Sequence, residues 1–299
     1  MSGLDGVAVV FVNHHSEALV APKLGPLLAA GARVVVVDNS GTHGDAAGVA
    51  VARPGRNLGF AAACNLALDQ VGPGARAVCF HNPDLQAPPA AIARLASRLA
   101  GQPRPGLVAP AIRVGAVVRR HGYRYPSPAR EAAVALRALA RRGRPERDSG
   151  PSGRCRRAAG RGRRFGSGGL LLASPAALAA AGGFDRDYFL YGEDLDLWHR
   201  AGQLGFSTDL EPAVVVDHRE ATGGRMAPEA RELLRWLGVE LFAERTGTGW
   251  PRYRRVHRPL LAQLGDGAGP LGPLVAAAWS AGATPLEVQR AAAALLGPR

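Results

Sequence analysis

The sequence predicts an α/β domain in which a mostly parallel sheet is flanked by helices, extended at the C-terminus by a helical segment. Three observations carry this. Short Val-rich runs alternate with Ala/Leu-rich segments punctuated by Gly and Pro. The runs are continuously apolar, which marks strands buried on both faces of a parallel sheet. Several of them end in carboxylate or amide residues, on the side of such sheets where ligands sit.

The elements follow in order. VAVVFVN, from Val7 to Asn13, reads as a buried strand. Glu17 to Ala30 is Ala/Leu-rich and predicts a helix stopped by Gly31. ARVVVVDNSGT, from Ala32 to Thr42, repeats the strand form and ends in Asp38 and Asn39. Val49 to Arg53 is a weaker strand, Ala61 to Gly72 a helix, Ala75 to Leu85 a strand carrying Asn82 and Asp84 at its end, and Ala90 to Ala100 a helix. Leu170 to Ala173 is a short strand before a helix with Ser174 as N-cap and Pro175 at its first position, ended by Gly182 and Gly183. Val214 to His218 is the last strand. Pro228 to Glu244 carries Leu233, Leu237 and Leu241 at i, i+4 and i+8, with Leu234 beside them, an amphipathic helix. The remaining Arg-, Ala- and Gly-rich tail predicts little.

A strand-end Asp or Asn commonly caps the helix that follows it. Three strands that all end this way, at Asn13, Asp38–Asn39 and Asn82–Asp84, favour a shared polar site instead.

Composition sets further bounds. The chain has 299 residues and is 47% hydrophobic, enough for one large domain with an appendage, divided here at 1–225 and 226–299. Its three cysteines, Cys64, Cys79 and Cys155, lack paired or metal-like spacing. That argues for a reducing compartment and against a disulfide framework or a zinc site. No secretory apolar segment opens the sequence. Gly267 to Leu286 is an uncharged stretch long enough to span a bilayer, but Pro270, Pro273 and Pro285 interrupt it and Gly and Ala dominate, a poor membrane span. The expectation is a cytoplasmic protein, peripheral at most on the inner face of the membrane.

The formal net charge is +13, nearly all from Arg, with Lys23 the only lysine. A GC-rich coding bias accounts for such a composition without a selected partner, yet the charge still favours anionic ligands and surfaces. Arg141 to Arg164 holds ten Arg and few large apolar residues, and predicts a mobile loop. It reads equally as a solvated insertion or as a basic flap that meets a diphosphate or an acidic membrane, where the amphipathic helix after Pro228 would join it. Nucleic acid is disfavoured, because no aromatic residues interleave with the arginines to stack on bases.

Against this charge stands YGEDLDLWHRAGQLGF, Tyr191 to Phe206, with Glu193, Asp194 and Asp196 in four positions before a helical pattern. Acids at a helix start are favourable on the dipole alone, and a metal site or a catalytic base would look the same.

Taken in order, VNHHS, VVVVDNSGT, RNLGFAAACN, HNPDL, GGFDRDYFLYGEDLDLWHRAGQLGF and VVVDH resemble family 2 glycosyltransferases of the GT-A fold, a Rossmann-like sheet flanked by helices. The resemblance covers roughly residues 7–225 and is closest to bacterial rhamnosyltransferases, including those acting on polyprenyl-diphosphate-linked GlcNAc. The GGFD…GEDLDL block is its specific part, and YPSPAR, Tyr125 to Arg130, is also similar.

The resemblance implies an inverting transfer of a sugar, L-rhamnose from dTDP-rhamnose by best match, from a nucleotide-sugar to a lipid-linked or polysaccharide acceptor. It implies that Asp38 and Asn13 meet the pyrimidine base and that Asn57 and Gly59 line the nucleotide side. Asn82-Pro83-Asp84 stands for the Asp-x-Asp motif, Asp84 and His218 meeting a divalent cation, Mg²⁺ or Mn²⁺, which suits oxygen and imidazole donors. Asp194 becomes the general base, Glu193 its support, and Asp196 a helix-start residue. Leu197, Ala201 and Leu204 would share the face packed on the sheet, with Trp198 in the core or at the acceptor site, and Gly182–Gly183 would turn close to the donor sugar. Two positions depart from the pattern: Asn82 supplies no charge to a metal, and His14 stands where an aromatic, commonly Tyr, is usual.

Two other functions fit parts of the sequence. A sugar-nucleotidyltransferase would show a Gly-rich basic loop after the first strand, where this chain reads NHHSEALV. A non-catalytic basic binding module would depend on the arginine run and not on Asp194.

Overall fold

The computed structural model describes residues 3–127, 164–218, 226–247, 258 and 267–297. The arginine run expected to be mobile lies outside these residues, except Arg164, which begins a short strand.

The predicted strands form as β1 (Val7–Asn13), β2 (Arg33–Asp38), β3 (Val49–Ala52), β4 (Ala77–His81), β10 (Leu170–Ala173) and β11 (Thr208–His218). The structure adds β5 (Leu85–Gln86), β6 (Leu107–Val114), β7 (Val117–Arg119), β8 (Tyr123–Arg124) and β9 (Arg164–Phe165), for which the sequence reading had no element. Among the described residues a nine-stranded sheet runs in the order β3–β2–β1–β4–β10–β6–β11–β5, with β7 beside β6, and β8 pairs with β9 separately. β1 to β4 are parallel, β10 runs antiparallel between β4 and β6, and β11 is parallel to β6. The mostly parallel sheet is therefore as expected.

Alternate residues of the strands enter two different cores, as a period of two requires. Val7, Val9, Phe11, Val34, Val36 and Cys79 face one side, covered by α1 (Glu17–Ala29) and α3 (Pro89–Ala100). Ala8, Val10, Val35, Val37, Val78 and Phe80 face the other, covered by α2 (Gly59–Val71), α4 (Pro175–Ala181) and α5 (Glu193–Gln203). Ser174 caps α4 as predicted, its Oγ accepting from Ala177 N at 3.1 Å.

A third core joins α6 (Pro228–Thr246), α7 (Leu271–Ser280) and α8 (Pro285–Leu296). Leu233, Leu234, Leu237 and Leu241 of α6 are all buried. Its apolar stripe is thus covered by the protein itself. α7 and α8 are separate short helices within the uncharged tail, and no helix among the described residues is long and apolar enough to cross a membrane.

Candidate active site

β1 and β2 are in register at their last residues, Asn13 opposite Asp38, so two polar strand ends meet. Asn13 Nδ2 donates to Asp38 Oδ1 at 2.9 Å. The same oxygen accepts from Ser40 N, Ser40 Oγ and Gly41 N, and Oδ2 accepts from His43 N at 2.8 Å. Burial alone would raise the Asp38 pKa, but these donors outweigh it and hold the carboxyl below its ordinary value. Asp38 is thereby the organiser of the Asp38–His43 turn as well as the expected contact to a base.

The Arg56–Gly59 turn lies alongside. Asn39 Nδ2 donates to Gly59 O at 3.0 Å, and Phe60 N donates to Phe189 O at 2.8 Å. Gly59 has φ +77°, and a Cβ there would sit 2.2 Å from Phe189 O. Glycine is required for the turn to lie this close to the Phe184–Gly192 loop. Asn57 binds the Gly59 amide and reaches the end of α8.

At the end of β4, Asn82 and Asp84 fold back into β5, which pairs antiparallel with the end of β11, His218 opposite Leu85. This two-residue strand is what brings Asp84 Oδ2 to 3.0 Å from His218 Nε2. Asp84 Oδ1 and Asn82 Oδ1 are buried without a hydrogen-bond partner, and Lys23 Nζ donates to Pro83 O at 2.7 Å. Among the described residues no group of three His, Cys, Asp or Glu is placed to hold a metal. Asp84 and His218 are a pair, leaving the other positions of any cation to a ligand or solvent.

The three acids of the Tyr191–Phe206 stretch occupy the first turn of α5, and their environments separate them. Asp196 is buried and accepts from Arg200 Nε at 2.7 Å. Burial raises its pKa and Arg200 opposes the rise. Arg200 in turn donates to Ala181 O and Gly183 O, so the pair fastens α5 to the Gly182–Gly183 turn. That turn faces α2, where Asn65 bonds both backbone groups of Phe184 at 2.7 and 2.9 Å. Asp194 is only partly buried. Its Oδ1 accepts from Leu195 N and its Oδ2 from Gly168 N, each at 2.7 Å, while burial raises its pKa. Glu193 is 5% exposed, and its Oε2 has no partner. Burial first, then the Asp194 charge, lift its carboxyl to about 8.

The segment Ser167–Gly169 links these parts, and the sequence reading missed it. Gly168 N binds Asp194 Oδ2, and Gly169 O accepts from Asn82 N at 2.8 Å. Two adjacent residues thus tie the Asn82–Asp84 turn to the Glu193–Asp194 turn. A Cβ on Gly168 would lie 2.8 Å from Asp194 Cβ. The FGSGG spelling before β10 was the available signal. Tyr191 was also missed. It has φ +68°, a costly conformation for a non-glycine residue, and its phenol lies in the field of Arg231, Glu193 and Asp84.

Trp198, Leu197 and Ala201 are buried in the core as expected. Leu204 is not: it is 44% exposed, because α5 ends at Gln203 and the chain turns at Gly205 before the face can continue.

No family model matches the chain. The N-acetylglucosaminyl-diphospho-decaprenol L-rhamnosyltransferase of Mycobacterium tuberculosis, in each of two strains, is 29% identical over 252 residues, covering 73% of this chain and 76% of its own. The mannosyltransferase PcManGT from Pyrobaculum calidifontis, solved in complex with GDP-Man and Mn²⁺, matches with a TM-score of 0.54 at 19% identity, over 98% of this chain and 81% of its own. The fold is that of a GT-A glycosyltransferase, and the resemblance read from the sequence motifs is borne out.

Proposed function

We propose that this chain is an inverting glycosyltransferase that moves a sugar from a nucleotide-sugar to a lipid-linked or polysaccharide acceptor, with L-rhamnose as the sugar favoured by the name of its mycobacterial relative and dTDP-rhamnose as the donor that the motif resemblance implies. The observation that carries this reading is the Gly168–Gly169 link. It ties the turn that carries Asp194, a partly exposed carboxylate, to the Asn82–Asp84 turn at the strand ends, where ligands bind in such sheets.

Asp84 and His218 fit a divalent cation. Asp84 Oδ1 is buried without a partner, and oxygen plus imidazole donors suit Mg²⁺ or Mn²⁺. When bound, such a cation would neutralise the negative charge that develops on the departing diphosphate. Asn82, as an amide, would contribute an oxygen without adding charge.

Asp194 takes the proton from the acceptor hydroxyl as that oxygen bonds to the anomeric carbon. The anomeric C–O bond breaks on the opposite face, and the nucleoside diphosphate leaves with the electron pair. The two backbone N–H donors at 2.7 Å fix the Asp194 carboxylate without neutralising it. Glu193 stays protonated at neutral pH beneath it, so the negative charge at the site is concentrated on Asp194. Asn13, Asp38, Asn57 and Gly59 form the nucleotide side, the first two as a preformed hydrogen-bonded pair.

The test is a panel of nucleotide-sugars scored first for thermal stabilisation and then for transfer to a polyprenyl-diphosphate GlcNAc acceptor. Stabilisation by dTDP-rhamnose and acceptor-dependent release of dTDP are expected. Stabilisation by no member of the panel overturns the reading. A peripheral contact with anionic lipid through the Arg141–Arg164 run is part of the same proposal, and vesicle co-sedimentation before and after its deletion decides it.

A further inference from the structure

The side chain of Asn57 is spent on the protein rather than left facing a ligand. Its Oδ1 accepts from Gly59 N at 3.0 Å, while Nδ2 lies 3.3 Å from Leu296 O and 3.4 Å from His14 Nε2. Its backbone N donates to Gly297 O at 3.0 Å. The last carbonyls of α8 are thus satisfied by the donor-side turn, as a helix C-terminus requires. The orientation of the amide is fixed twice over. Gly59 N needs an acceptor and Leu296 O needs a donor, and only one amide orientation supplies both.

That orientation decides the chemistry of His14. The amide nitrogen has only hydrogens to offer, so the Nε2 facing it must carry a lone pair. A neutral His14 then holds its proton on Nδ1. His14 follows the C-terminal end of β1 directly, is exposed, and stands next to the Asn13–Asp38 pair. We propose that Asn57 is a positioning residue that, anchored by the end of α8, holds His14 as the Nδ1–H tautomer, and that His14 presents this N–H to an acceptor oxygen of the donor nucleotide. The proposal rests on the nucleotide-sugar reading above.

The surroundings agree. Loss of hydration, followed by the neighbouring His15 imidazole, pushes the His14 pKa below its ordinary value against the carboxylates of Asp38 and Glu17, so the neutral ring prevails at pH 7. His15 packs edge-on with ring centroids 4.7 Å apart. From α8, the groups in contact with Asn57 are the carbonyls of Leu296 and Gly297.

Asn57→Asp separates this role from a merely structural one. The aspartate still accepts from Gly59 N, but it places a carboxylate against Nε2. A neutral His14 then moves its proton to Nε2 and offers the nucleotide no N–H, whereas the imidazolium offers one again. Wild type carries Nδ1–H in both the neutral and the protonated ring and should therefore lose no affinity from pH 8 to 5.5. Asn57→Asp should instead bind weakly at pH 8 and recover toward pH 5.5. That swing should be about three- to tenfold, the size of one hydrogen bond.

The experiment titrates dTDP-rhamnose and UDP-glucose into both proteins from pH 5.5 to 8. It also records the ring tautomer of His14 by two-bond ¹H–¹⁵N correlation, with His14→Phe identifying the resonance. An Nε2–H tautomer in wild type overturns the inference alone. So does an Asn57→Asp profile that shows no recovery toward low pH beyond that of wild type. If the tautomer is Nδ1–H and neither nucleotide-sugar binds wild type at any pH, the donor reading fails and the role of His14 falls with it.

Discussion

Glu193→Gln is expected to stabilise the protein, increasingly as pH rises. The unfolded chain releases the Glu193 proton near 4.5, but in the fold burial and the Asp194 charge hold it up to about 8. Between those values the unfolded state binds fewer protons than the folded one, so folding stability falls with pH by about 1.4 kcal/mol per pH unit. At pH 7 that amounts to about 3 kcal/mol as an upper bound. Gln removes the ionisation while its carbonyl still accepts the backbone bonds, and its amide takes the place of an oxygen that has no partner. The two proteins should therefore melt together below pH 4.5 and diverge through neutrality, with the variant up to about 5 °C higher at pH 7 for a chain of this size. Above pH 8 the gap stops growing. Thermal melts of both proteins from pH 4 to 9 decide this. A variant that melts lower than wild type at pH 7 and above, or a gap that does not change with pH, would refute the protonated-Glu193 argument.

Asp194→Asn should lower kcat by roughly a hundred- to ten-thousandfold while the affinity for the nucleotide-sugar survives, and retained turnover would remove Asp194 as the base. Asp84→Asn, and chelation of divalent cations from wild type, should each abolish most transfer. Mn²⁺ or Mg²⁺ should restore only the chelated wild type, and activity indifferent to chelator would sink the Asp84–His218 assignment. Gly168→Ala pushes a methyl to within 2.8 Å of Asp194 Cβ. It should depress kcat at least tenfold with little change in donor KM, and equal losses in both would mean that the turn supports the donor side instead.

The part of the fold that was legible is the part whose strands are buried on both faces. Val34 to Val37 have one structural solution at that length and branching, and Ser174-Pro175 spells a helix start in a few letters. The β6–β9 region was not legible because its strands are short or, like Leu107–Val114, interrupted by Pro110, and the β6–β11 and β8–β9 pairings join partners distant in sequence. α7 and α8 escaped for another reason. Their Ala, Gly and Pro content carries weak periodicity, and they are held as helices by packing against α6. In the site, residue identities were legible and connections were not. Asp84 and His218 lie 134 positions apart, and β5, the two-residue strand that joins them, has no sequence signature. Leu204 shows the converse error, a helical period carried one residue beyond the helix.

The acids of the α5 first turn also show why a count of formal charge misdescribes this site. Asp196 is matched by Arg200 at 2.7 Å and acts as a fastening. Asp194 is matched only by two backbone dipoles, which steady a charge without cancelling it. Glu193 has backbone donors too, but one of its oxygens has no partner and no arginine answers its charge, and the resulting cost is relieved by keeping its proton. Three like residues in four positions therefore differ because of what the backbone and one arginine offer each of them. With Glu193 neutral, its charge no longer opposes that of Asp194. A base confined to a crowded turn can then stay ionised, and the orphaned Glu193 oxygen follows from that arrangement.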